Sequence, residues 1–119
     1  GDDLLKFAGE LLRQCLREQD VAIRYGGDEF VLILPSVPPE QAQAIAERTI
    51  AMFAQRTKLL PLLKRPTMSA GIASLAAHRP TTAAGLLQMA DAALYQSKSM
   101  GKARASVYSL NRAASPAKI

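Results

Sequence analysis

The sequence predicts an α+β protein, with helices packed on a mostly antiparallel sheet. Three observations lead there. Apolar residues recur at helical spacing in three stretches. Four short runs have strand character, two of them joined across a glycine pair. The resulting order is helix, strand, strand, helix, strand, helix, strand. With 49% of its 119 residues hydrophobic, the chain can bury one core.

The first helix opens at Asp2 and Asp3, whose charges suit a helix N-terminus. Leu4, Phe7 or Ala8, Leu11, Leu12, Cys15 and Leu16 form its inward face, and the pattern runs to about Gln19. Val21-Ala22-Ile23-Arg24 and Val31-Leu32-Ile33-Leu34 then flank Tyr25-Gly26-Gly27-Asp28-Glu29-Phe30. Glycines there supply positive φ and leave bare backbone against which a flat ligand can lie. The two acids beside it suit a metal and a phosphorylated ligand, although on local hairpin chemistry alone a plain hairpin with solvated acids is the favoured explanation.

Pro35, Pro38 and Pro39 break the pattern. A second helix is expected from Glu40 to about Gln55, facing inward through Ala42, Ile45, Ala46, Ile50 and Phe53, with Thr49 at the stripe's edge. The proline-broken Leu59-Leu60-Pro61-Leu62-Leu63 stretch is expected to pack on the body. A strand follows at 67–73, where Gly71 marks a close backbone approach. His78 falls in a loop. A third helix starts at Thr81 or Thr82, faces inward through Leu86, Leu87, Ala90, Ala93, Leu94 and Ser97, and stops at Gly101. A last strand covers 105–109. Residues 1–110 form the domain, and 111–119 read as a disordered tail.

Charge and composition narrow the function. The net charge of +5 favours anionic partners. Three tyrosines and no tryptophan make a poor base-stacking platform, so nucleic acid is not an expected partner. Cys15 is the single cysteine and His78 the single histidine, which leaves no disulfide framework and no His/Cys metal cluster. No apolar run approaches transmembrane length, and no signal peptide is visible. A cytoplasmic segment of a longer parent, itself free to be membrane-anchored, is the expectation, because the sequence opens on Gly1-Asp2-Asp3 without a methionine.

Several motifs in order resemble the GGDEF family, the diguanylate cyclases. Gly26-Gly27-Asp28-Glu29-Phe30 spells its signature. Gly1-Asp2 resembles the pair that opens the preceding helix, and Arg17-Glu18-Gln19-Asp20 the RxxD inhibitory motif. Ser69-Ala70-Gly71-Ile72 resembles a family strand. The run from Ala90-Asp91 through Leu94-Tyr95 to Lys98, Gly101 and Lys102 resembles the closing helix. The resemblance implies a palm-like, ferredoxin-like nucleotidyl cyclase sandwich. It would join two GTP molecules into cyclic di-GMP, with Mg²⁺ or Mn²⁺, across a homodimer governed by an upstream sensory or receiver module.

By the same resemblance, Asp28 and Glu29 are the catalytic and metal-binding acids. Gly26 and Gly27 lie against the nucleotide, Asp2 reads the guanine edge, and Lys98 and Lys102 hold the triphosphate. Four apart, those lysines are expected on one side of a helix. Arg17 and Asp20, three apart near a helix end, are expected to share a face as the inhibitory product site, with Arg48 added from the second helix. Each has a plainer explanation: Asp2 as a helix cap, the lysines as cations at a helix C-terminus, and Arg17 with Asp20 as a surface ion pair. The family's opening strand with its Asp-x-Asp-like motif and its phosphate loop have no counterpart in the sequence, so this segment alone is expected to be weak or inactive. The rival expectation is a receptor domain that binds nucleotide without catalysis.

Overall fold

The computed structural model describes residues 2–25, 29–62 and 65–109. The chain divides into two compact units, Gly1–Val37 and Pro38–Ile119. The first holds helix α1 (Asp2–Cys15), strand β1 (Val21–Arg24) and strand β2 (Phe30–Ile33). The second holds helix α2 (Pro39–Thr57), strand β3 (Ala70–Ile72), helix α3 (Leu75–His78), helix α4 (Ala83–Ser99) and strand β4 (Ala105–Val107).

In the first unit, β1 and β2 pair antiparallel in the register Val21↔Ile33 to Arg24↔Phe30. The hairpin closes where the Tyr25 N–H donates to the Glu29 carbonyl at 2.8 Å. The sequence between those two residues is Gly26-Gly27-Asp28, which lies outside the described residues. Helix α1 packs on β1, and its buried residues are Ala8, Leu11 and Leu12. Gly9 faces the Phe30 ring, with room for a Cβ at 3.5 Å.

Helix α1 stops at Cys15 rather than near Gln19, and the cause is local. The Leu16 N–H bonds the Arg13 carbonyl, a turn shortened by one residue. The Arg17 N–H then turns forward to Asp20 Oδ2 at 2.8 Å instead of back into the helix. An aspartate that offers the backbone a side-chain acceptor competes with the next helical turn.

In the second unit, β3 and β4 pair parallel, Ala70↔Ala105 to Ile72↔Val107, and α2 and α4 both pack on the pair. Gly71 sits where β3 meets α4. A Cβ there would fall 2.2 Å from both the Ala90 carbonyl oxygen and the Leu94 nitrogen, so only glycine fits. Ser97 on α4 is fully buried beside it. Its Oγ lies 2.8 Å from the Ala70 carbonyl oxygen and 2.7 Å from Ser106 Oγ. Having one proton, it donates to the carbonyl and accepts from Ser106.

The ends of the second unit's helices are capped in different ways. Thr82 caps α4, accepting from the Gly85 N–H at 2.9 Å. Gly101, at φ +116°, closes it: the Lys102 N–H bonds the Ser97 carbonyl and the Gly101 N–H bonds the Lys98 carbonyl. Helix α2 starts on Pro39 without a side-chain cap. Its last carbonyls are held from beyond the helix, since Arg65 Nη1 donates to the Thr57 oxygen at 2.7 Å.

Two expectations are corrected here. His78 is not in a loop but ends the short helix α3, where its Nδ1 accepts from the Ser74 N–H at 2.8 Å and its ring stands edge-on to Tyr108. The apolar connector does not pack down throughout: Leu59 is 84% exposed, because Leu59 and Leu60 continue the end of α2 as tight turns that point Leu59 outward.

Candidate functional site: an arginine–aspartate turn beside the hairpin

Arg17 and Asp20 are brought together, though not on a helix face as expected. They are the two ends of a turn. The Asp20 N–H donates to the Arg17 carbonyl at 3.1 Å, while the Arg17 N–H donates to Asp20 Oδ2. The side chains close the same ring: Arg17 Nε lies 3.1 and 3.0 Å from the two carboxylate oxygens, and Nη2 lies 2.7 Å from Oδ1. Nη2 also donates to the Pro35 carbonyl at 2.8 Å, which ties the turn to the chain just after β2.

The guanidinium covers the carboxylate, leaving 3% of the Asp20 side chain exposed against 41% for Arg17. The hydrogen bonds from Arg17 hold the Asp20 carboxyl below its ordinary range, against a smaller opposing effect of desolvation. The hydrogen bond to Asp20 correspondingly raises Arg17. A hollow of about 430 Å³ opens beside the turn, lined by Arg13, Leu16, Arg17, Glu18, Asp20, Val21 and Ala22. Neither Arg13 nor Glu18 was singled out from the sequence. Arg13 stands in the last turn of α1, four residues before Arg17, and its place in the sequence just ahead of the Arg17–Asp20 pair is the signal that marks it.

The other predicted site residues divide as follows. Gly26, Gly27 and Asp28 lie outside the described residues, as does the side chain of Asp2, whose backbone begins α1. Glu29 is exposed at the base of the hairpin. Lys98 is exposed in the last turn of α4. Lys102 does not share a helix face with it: Lys102 lies beyond Gly101, at φ +65°, because the glycine cap turns the chain away first. Arg48 is exposed on α2. Among the described residues, no group of three His, Cys, Asp or Glu side chains could hold a metal ion. No helix among them is long and apolar enough to cross a membrane.

The family model described as "Diguanylate cyclase, GGDEF domain" matches residues 1–104. The chain belongs to the GGDEF family. Diguanylate cyclase A of Treponema denticola is 32% identical over 105 residues, covering 87% of this chain and 28% of that protein. A probable diguanylate cyclase of Escherichia coli, DgcE, is 38% identical over 115 residues, 96% of this chain and 10% of the relative. The chain thus spans less than a third of these curated GGDEF relatives.

Solved GGDEF domains share the fold. The GGDEF domain of YfiN (TpbB) from Pseudomonas aeruginosa superposes with a TM-score of 0.74 at 32% identity, covering 92% of this chain and 69% of that one. The active GGEEF domain of a diguanylate cyclase from Vibrio cholerae gives 0.73 at 28% identity, covering 91% and 68%. The α+β, palm-like GGDEF architecture expected from the sequence is therefore the fold of this chain.

Proposed function

We propose that this chain is part of a diguanylate cyclase that condenses two GTP into cyclic di-GMP. The observation that carries the reading is the hairpin. Its antiparallel ladder runs from Val21↔Ile33 to Arg24↔Phe30 and closes at Tyr25 and Glu29, directly around Gly26-Gly27-Asp28. In this reading Asp28 and Glu29 are the catalytic acids and the ligands of Mg²⁺ or Mn²⁺. Gly26 and Gly27 let the nucleotide approach the backbone. Asp2 accepts from the guanine N1 and N2 donors, and Lys98 and Lys102 neutralise the triphosphate. The cation, when bound, supplies charge neutralisation on the transferring phosphoryl group.

Each of two facing copies holds one GTP. A 3′-oxygen loses its proton and forms a bond to the α-phosphorus of the other GTP, and the bond from that phosphorus to the bridging oxygen breaks to release pyrophosphate. The same exchange in the opposite sense closes the ring. The product returns to the hollow beside Arg17 and Asp20 and inhibits. An upstream regulatory module and a cytoplasmic setting complete the proposal.

The segment alone is expected to turn over weakly. The test is purified chain with GTP and Mg²⁺, read by chromatography of cyclic di-GMP, beside a longer parent and its Asp28→Ala variant. Strong synthesis by the parent, lost in Asp28→Ala, is the expected result. Undiminished synthesis in Asp28→Ala would overturn the assignment. A non-catalytic receptor is the second reading, and it uses the same hollow beside Arg17 and Asp20. It predicts product binding by a parent that never synthesises.

A further inference from the structure

We propose that Arg13 is the phosphate-holding residue of the hollow beside the Arg17–Asp20 turn; the assignment rests on reading that hollow as the product site. The argument begins with what Arg17 has left to give. A guanidinium carries five N–H donors. Arg17 commits its Nε–H to the Asp20 carboxylate and both protons of Nη2 to Asp20 Oδ1 and the Pro35 carbonyl. Only the two on Nη1 remain. Two parallel bonds to a phosphate need two guanidinium nitrogens, so this fork is closed while the turn is intact. Its charge is matched by Asp20 at 2.7 Å.

Arg13 differs on both counts. It is exposed in the last turn of α1 and lines the same hollow. Among the described residues its guanidinium makes no hydrogen bond or ion pair, so its five donors are uncommitted. Glu18 is the other charged group there without a described partner. A carboxylate beside a cation disfavours a bare polyanion and suits a ligand that carries both a phosphodiester and N–H donors, as a guanine nucleotide does. Arg13 also suits the negative end of the α1 dipole, but that role requires no hollow.

The test is calorimetric titration of the 119-residue chain with cyclic di-GMP. Arg13→Gln is expected to weaken binding about tenfold, the loss of one charge-assisted contact, and to flatten the salt dependence. Arg13→Lys should recover part of the affinity, and Lys6→Gln, which removes a charge elsewhere on α1, should leave it unchanged. Binding by Arg13→Gln equal to that of the unaltered chain, with Arg17→Ala weakened, would overturn the role of Arg13 and leave the product site standing. Absence of binding by the unaltered chain, or indifference to Arg17→Ala, would remove the product-site reading and this assignment with it.

Discussion

The two units hold themselves together by different physics. Around Gly71 the second unit is held by shape: a strand lies so close to a helix that no Cβ fits, and a fully buried serine joins them. The first unit keeps its hairpin apolar residues half in water, with Val21, Ile23 and Ile33 each 45–50% exposed. Its turn is fastened by charged groups at the surface instead. Close packing leaves no freedom, whereas a polar fastening can be exchanged for a ligand. Arg13, Arg17 and Asp20, assigned to product binding, lie on the second kind of structure.

Gly71→Ala is the hardest test of that contrast. The new methyl group would meet backbone atoms, which cannot rotate aside, so β3 and α4 must separate. The expected loss is about 3 kcal/mol, at the upper end for overpacking, and Gly71→Val should fail to fold. A thermal melt of Gly71→Ala within a degree or two of the parent would show that the close approach is not held by shape. Ser97→Ala should cost less, about 1–3 kcal/mol, because it strips the Ala70 carbonyl and the Ser106 hydroxyl of a partner without adding bulk. Chemical denaturation of the two variants side by side would order the effects.

These two sites differ in how far the sequence disclosed them. A lone glycine in an apolar strand signals close approach whatever lies opposite, and a glycine pair between two apolar runs signals a hairpin. Both are local patterns, and both are found. The end of α1 was hidden because an aspartate beyond the helix captures the Arg17 N–H. The cap of α2 was hidden because it comes from Arg65, eight residues past the carbonyl it holds. The motif spelled by Arg17 and Asp20 was visible, but its geometry as a closed turn was not. Arg13 beside it, without a partner among the described residues, needed the hollow to be seen. Lys98 and Lys102 looked like helical neighbours because spacing alone does not show that Gly101 has already reversed the chain.

In the first unit, Arg17→Ala should leave the second unit's melting behaviour intact while releasing the Pro35 carbonyl and uncovering Asp20. Hydrogen exchange should speed up at residues 16–22 and stay unchanged at 70–72 and 90–97. Faster exchange throughout would mean that the fastening supports the whole molecule rather than one turn.

The smallest effect separates the two modes most cleanly. Because Arg17 holds the Asp20 carboxyl below its ordinary range, the unfolded chain takes up that proton more readily than the folded one. The contribution of Asp20 to stability is therefore complete above the ordinary aspartate range and disappears as pH falls through the depressed value. Denaturation of the parent and of Asp20→Asn should show a difference at neutral pH that closes on acidification, and that added salt diminishes, since the pair lies at the surface. Ser97→Ala should show a deficit independent of both pH and salt, because no charge enters its hydrogen bonds. If the deficit of Asp20→Asn were equally indifferent to pH, the turn would be held by shape, like the strand and helix at Gly71, and the proposed difference between the units would vanish.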